Sequence, residues 1–248
     1  HELGQSVYYL PKNGISSQLG QLSFLVQHVT PLPRPNPGFE TESYGIAIDL
    51  GSTTIAGHLL ELSTGEIRAS HGLMNPQIRL GEDLMSRVSY AMMNPDGGRA
   101  LTGLVRGAIN DLVRELAIIA QIPLHKIVEV ILVGNPVMHH LFLGLDATPL
   151  GQAPFTLQIA ESVLVEATSL ELICEAAYVY VLPCIAGHVG ADTAAVVLAE
   201  DPMNYDGPLL IVDVGTNAEI ILSVDGKLFA ASSPTGPALE GAQISCGQ

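Results

Sequence analysis

IVDVGTNAEI, Ile211–Ile220, runs as an apolar strand into a glycine and leaves it as another strand, with Asp213, Gly215, Thr216 and Asn217 gathered at the tip. The same plan occurs earlier in IAIDLGSTTIAGHLL, Ile46–Leu60. Aligned on the glycine, Asp49-Leu50-Gly51-Ser52-Thr53 falls on Asp213-Val214-Gly215-Thr216-Asn217. Each tip opens a three-strand meander. The first reads YGIAIDL, TTIAGHLLEL and EIRASHG, broken at Gly51-Ser52 and Ser63-Thr64-Gly65; the second reads PLLIVDV, NAEIILSV and KLFAASS, with Asp225-Gly226 as its second turn. Duplication of a β-meander plus α/β unit explains the repetition better than chance.

The strand period places Ile46, Ile48 and Leu50 on one face and Ala47 and Asp49 on the other, so the carboxylate emerges where the chain turns. Gly51 lets backbone approach a ligand closely, and the N–H groups of Ser52, Thr53 and Thr54 can converge on an anion. Asp49 repels a phosphate by itself but can hold Mg²⁺ through its water shell, since magnesium takes one or two carboxylates and keeps waters. Asp213, Gly215, Thr216 and Asn217 repeat the arrangement. Two such tips are expected to clasp a polyphosphate and its metal; ordinary hairpins with convenient turn residues are the plainer reading.

Between about Leu101 and Ala120, apolar residues at Leu104, Ala108, Leu112, Leu116 and Ala120 predict a helix lying on a sheet, closed by Pro123. KIVEVILVG then reads as a largely buried strand entering NPVMHHLFLG, where Pro136 suits the first turn of a helix. Asn135 at that junction is either a helix cap or a cleft residue. His139 and His140 are read as structural, one facing the core and the other solvent. Asp192, after two glycines and before an Ala-rich helix, either caps or positions magnesium and water. Glu219 shares a strand face with Asn217, which makes it a candidate for a cleft role beside the plainer reading of an ordinary strand residue. Gly236 and Glu240 sit at the apolar helical start in SPTGPALEGAQI, where a carboxylate suits the helix dipole.

The 248 residues, 48% apolar and 14% charged, describe a globular chain with a substantial core. Ten Lys+Arg against 25 Asp+Glu give a formal charge of −15 without a basic cluster, which argues against nucleic acid as a partner. No apolar run reaches the roughly 18 residues of a membrane span, and HELGQ has no signal-peptide character, so the expected location is cytoplasmic. Cys174, Cys184 and Cys246 match neither a zinc nor an iron–sulfur spacing.

Residues 1–41 read as the tail of an upstream domain followed by the proline-rich linker PLPRPNPG. Residues 42–185 make a first lobe and 186–248 the start of a second. The missing initial Met and the ending at SCGQ suggest an internal piece of a longer protein.

IDLGSTT and VDVGTNAEI resemble the two phosphate motifs of the acetate and sugar kinase, Hsp70 and actin superfamily, and PCIAGHVGADTAAVVLA resembles its first connecting helix. NPQIRLGEDLMSRVSYA, VGNPVMHHLFLGLDATPLGQAPF, VLPCIAGHVGADTAAVVLA and SPTGPALEGAQI together resemble the ATP-dependent reductive activators of corrinoid proteins, from about Tyr44 to Gln248. The resemblance implies an α/β fold of the actin-like ATPase, ribonuclease-H-like type, with its second lobe truncated. It implies an enzyme that uses ATP and Mg²⁺ to return Co(II) corrinoid proteins of methyltransferase systems to Co(I). Asp49, Asp213 and Asp192 would be catalytic, the first two holding Mg²⁺ through water. Gly51, Ser52, Thr53, Thr54, Gly215, Thr216, Asn217, Asn135, Glu219, Gly236 and Glu240 would line the phosphates.

Members of that family carry a [2Fe–2S] ferredoxin-like domain before the actin-like part, so the cluster and its electron donor are expected outside this chain. The adenosine-binding Gly-Gly motif is expected downstream, which leaves the isolated piece inactive. Related iron–sulfur ATPases that activate acyl-CoA dehydratases have a cluster cysteine near SPTGPALEGAQI; Ser232 and Ser233 stand here instead. The expected partner is a corrinoid protein, with a homodimer also open. Two other readings compete: a small-molecule kinase of the sugar or acetate type, for which no sugar-binding insertion is evident, and a non-catalytic nucleotide-binding scaffold, against which both intact tips weigh.

Overall fold

The computed structural model describes residues 7–10, 43–215 and 217–235, and strand β1 is Val7–Leu10. The chain divides into two compact units, residues 35–192 and residues 193–248 with residues 1–34.

The larger unit is built on a six-stranded mixed sheet. Strands β2 (Tyr44–Leu50), β3 (Thr54–Glu61) and β4 (Ile67–Met74) form the antiparallel meander, with bounds that the alternating sequence pattern predicts closely. After it come helices α1 (Leu84–Met93) and α2 (Gly97–Ala120), then β5 (Ile127–Gly134) and α3 (Pro136–Leu143). Strands β6 (Val163–Glu166) and β7 (Tyr178–Val181) complete the order β4-β3-β2-β5-β7-β6. Strands β2, β5 and β7 run parallel, so their carboxyl ends all open at the same edge.

Helix α2 packs on β3 and β4 and buries Leu101, Val105, Ala108, Ile109, Leu112, Val113, Leu116 and Ala117. The expected stripe through Leu104 and Ala120 is displaced, because those two residues are only half-buried. Strict i, i+4 steps advance about 40° each around a 3.6-residue helix, so a line that meets the core at Ala108 and Leu112 has drifted off it at either end. The helix ends at Gln121, whose left-handed backbone (φ 56°) donates its N–H to Ala117 and Ile118 carbonyls. Truncating a fully enclosed residue such as Leu112 to alanine would cost about 2–5 kcal/mol.

Helix α4 (Ala191–Glu200) leads into the smaller unit, an antiparallel sheet of order β1-β10-β9-β8, with β8 Leu209–Val214, β9 Asn217–Val224 and β10 Lys227–Pro234. Asp225 and Gly226 both take positive φ (49° and 67°), as the two-residue turn joining β9 to β10 requires. Among the described residues no helix is long and apolar enough to cross a membrane.

Candidate phosphate-binding tips

In the larger unit the three parallel strands deliver their loops to one edge. Leu50 at the end of β2 pairs with Gly134 at the end of β5, so Gly51 and Asn135 leave the sheet side by side. Beyond β7, the segment Leu182–Gly190 returns to the same place. A Cβ on Gly190 would come within 2.6 Å of the Asn135 Cα, the Gly134 carbonyl oxygen and Asp192 Oδ1. The structure thus brings together Asp49, the Gly51–Thr54 tip, Asn135 and Asp192, at the strand ends where open α/β sheets commonly bind ligands.

Asp49 is exposed, on the sheet face opposite buried Ile48 and Leu50. Asn135 caps α3, its Oδ1 accepting from the Met138 N–H at 3.0 Å, with Pro136 at the first helical position. Asp192 lies in the first turn of α4.

The tip is held from behind. Asn75 Nδ2 donates to the Gly51 carbonyl at 2.9 Å, the Arg87 Nη2 group to the Ser52 carbonyl, and the Asn75 N–H to the Thr53 carbonyl at 2.8 Å. In a planar trans peptide the C=O of one residue points opposite to the N–H of the next. Tethering these three carbonyls therefore turns the N–H groups of Ser52, Thr53 and Thr54 away from Asn75 and Arg87. Gly51 itself has no room for a side chain, because a Cβ would sit 2.5 Å from the Thr54 carbonyl oxygen.

Asn75, Gln77 and Arg87 are fully buried, and none was singled out individually from the sequence. A signal existed. Asn75-Pro76 repeats the Asn135-Pro136 dipeptide, and Asn75 likewise caps the helical turn Pro76–Arg79 by accepting from the Gln77 N–H at 3.0 Å. Arg87 was hidden because an arginine one turn into a capped helix reads as a solvated residue.

The smaller unit shows the second tip. The Gly215 N–H donates to the Asn217 carbonyl at 2.8 Å, and Thr235 Oγ1 donates to the Gly215 carbonyl. Asp213 pairs across the ladder with Glu219, and Ser232 Oγ donates to Glu219 Oε1 at 3.1 Å. Burial raises the proton affinity of Glu219, the Ser232 hydrogen bond opposes that rise, and the charge of Asp213 adds to it. Thr216, Gly236 and Glu240 lie outside the described residues, as does Cys246.

Among the described residues no three His, Cys, Asp or Glu side chains gather to hold a metal ion. Cys174 and Cys184 are enclosed thiols, pushed by burial up to about 11 and about 12 respectively.

The histidine expectation needs correction: His139 and His140 are both fully buried. Helix α3 is enclosed nearly all round, from Pro136 to Phe142, so adjacent residues on different faces both meet protein. His140 Nε2 accepts from the Gln158 N–H at 3.0 Å, which makes Nδ1 the protonated nitrogen donating to the Pro136 carbonyl at 2.8 Å. His139 has no hydrogen-bond partner for either ring nitrogen among the described residues.

Family models described as the RACo middle region and as the C-terminal domain of RACo, the ASKHA domain, match residues 44–204 and 207–248. The corrinoid activation enzyme RamQ of Eubacterium limosum is 33% identical over 215 residues, covering 86% of this chain and 36% of that protein. A [Co(II) methylated amine-specific corrinoid protein] reductase of Methanosarcina barkeri is 27% identical over 214 residues, covering 82% of this chain and 38% of that protein. The solved structure of a reductive activator for corrinoid, iron-sulfur protein superposes with a TM-score of 0.81 at 32% identity, covering 85% of this chain and 34% of that one. The chain thus spans a little over a third of the length of these proteins.

Proposed function

The chain belongs to the RACo family and carries its actin-like α/β fold, and on that premise we propose that it is the ATP-binding part of a reductive activator that returns Co(II) corrinoid proteins to Co(I). The observation that carries this reading is the first tip. Its three tethered carbonyls aim consecutive amides outward beside the exposed Asp49 carboxylate. Backbone amides are the means by which so acidic a chain binds an anion without lysines.

In this reading the amides of Ser52–Thr54 bind phosphate oxygens and Asp49 orients the waters of the accompanying magnesium. Asn135 and Asp192 face the same edge, where Asp192 would order an attacking water. Asp213, Gly215 and Asn217 do for the second tip what Asp49, Gly51 and Thr53 do for the first. Magnesium, when bound, neutralises charge developing on the transferred phosphoryl group. ATP carries no electron, so the single electron that converts Co(II) to Co(I) comes from a reductant through an iron–sulfur centre elsewhere in the full-length protein. ATP turnover supplies work, by favouring a conformation whose contact with the corrinoid protein changes the cobalt ligation.

The test is spectroscopic conversion of Co(II) to Co(I) on the corrinoid partner. It should require full-length protein, reductant and Mg·ATP together. Equal conversion without ATP, or phosphorylation of a small metabolite in its place, would overturn the proposal.

A further inference from the structure

Arg87 is a fully buried cation on α1 whose guanidinium links the first tip to the segments packed behind it. Nη2 donates to the Ser52 carbonyl, Nε to the Gly81 carbonyl at 3.0 Å, and Nη1 to Gln77 Oε1 at 3.2 Å and Met138 Sδ at 3.1 Å. Its partners are held in turn, because Gln77 Nε2 donates to the Leu101 carbonyl at 2.9 Å and Asn75 Nδ2 reaches Met138 Sδ at 3.5 Å. All the acceptors are neutral. Among the described residues no carboxylate lies at ion-pair distance from Arg87, and Asp83, whose charge acts on it from further off, is engaged in capping α1 through the Ser86 N–H at 2.7 Å.

Burying an arginine without an acidic partner costs several kcal/mol, and a core of this size could place a leucine or methionine there instead. The arrangement makes sense if the charge serves an anion that rests on the far side of the loop. The tethered carbonyl of Ser52 belongs to the same peptide unit as the Thr53 N–H, so the guanidinium fixes that amide and lies behind the loop on which an anion would rest.

We infer that Arg87, together with Asn75, is a positioning residue of the first tip, setting its amides for a phosphate-bearing ligand and placing a buried positive charge beneath them. The inference rests on reading the tip as a phosphate site, and it adds residues that act through backbone and never touch the ligand. Lysine at 87 keeps the charge but cannot reach Ser52, Gly81 and Gln77 at once, since an ammonium lacks the planar fork. Asn75→Ser keeps an acceptor for the Gln77 N–H, but a single shorter hydroxyl does not replace the separate Nδ2 donor that holds the Gly51 carbonyl.

The experiment uses the full-length protein and measures binding of Mg·pyrophosphate, Mg·ATP and adenosine to wild type, Arg87→Lys and Asn75→Ser, with thermal unfolding as the folding control. Both variants should lose pyrophosphate and ATP affinity by about tenfold or more while adenosine affinity stays within about twofold. Unchanged pyrophosphate and ATP affinity in a folded variant, or a parallel loss of adenosine, would overturn the inference and leave the ATP reading standing. Wild type that binds pyrophosphate in an Arg87-dependent way but does not bind ATP would sink the ATP reading and keep this one. Wild type that binds neither would remove both.

Discussion

Asp213 and Glu219 stand directly opposite each other in the β8–β9 ladder, the first exposed and the second half-buried, and Ser232 on β10 completes the row across three strands. Like charges so placed repel, and the residue with less water yields. Burial first, and the charge of Asp213 after it, make Glu219 hold its proton more tightly than an ordinary glutamate. Asp213→Asn should bring the Glu219 titration down, and Ser232→Ala, which removes the hydrogen bond favouring the ionised form, should push it further up. Carboxyl-carbon NMR titration of Glu219 reads both; movement in the opposite sense for either variant would show that the row does not couple as drawn.

Acid should weaken the larger unit through His139. Burial, and next the neighbouring His140, push its pKa down from 6.5 to about 4. Between those values the unfolded chain binds a proton that the folded chain refuses, so stability rises with pH across that window and is lost as pH falls from about 6.5 towards 4. The full effect is on the order of 3 kcal/mol. Among the described residues neither ring nitrogen is within hydrogen-bond geometry of a partner, and the Leu182 backbone offsets the downward shift only in part, so His139→Leu should cost little at pH 7.5 and should flatten the pH dependence of the urea midpoint. A variant with the same acid sensitivity as wild type would place the titrating group elsewhere, with His140 the first suspect.

Two glycines on the exposed face of α2 offer a contrast with the tip. A Cβ at Gly103 or Gly107 meets nothing within 4 Å, and both residues are exposed within a 24-residue helix. Gly103→Ala and Gly107→Ala should each stabilise by about 0.5–1 kcal/mol. Gly51→Ala should do the reverse, because its Cβ would strike the Thr54 carbonyl, which cannot move without reshaping the tip. Chemical denaturation of the three variants separates helix propensity from loop geometry.

The meanders were legible because alternation, turn residues and length all pointed the same way from Tyr44 to Glu61 and from Leu209 to Val224. The half-site was legible where backbone chemistry marked it, at Asp49-Leu50-Gly51 and at Gly134-Asn135. Strands β6 and β7 were not, because four residues between turns carry too little period to distinguish a strand from a loop. Arg87 escaped for a different reason. Its role depends on where the Ser52 carbonyl points, and that is fixed by a contact across 35 positions of sequence.

The two tips are unequal in the structure, and that gives the prediction most directly tied to function. In the first, Asn75 and Arg87 tether three consecutive carbonyls. In the second, the Gly215 N–H is turned inward onto the Asn217 carbonyl, and the carboxylate Asp213 has Glu219 at its side. Both aspartates are proposed to orient magnesium-bound water, so Asp49→Asn and Asp213→Asn should each lower Mg-dependent ATP hydrolysis by the full-length protein at least about tenfold. They should differ in their pH response. Asp213→Asn removes a charge that raises the Glu219 pKa, so it should shift the acid limb of any residual activity to lower pH if Glu219 must be ionised, whereas Asp49→Asn should leave that limb in place. Steady-state hydrolysis from pH 5 to pH 9 with saturating magnesium tests both claims. Full activity in both variants would remove the magnesium assignment, and identical pH profiles would show that ionisation of Glu219 does not set the acid limb.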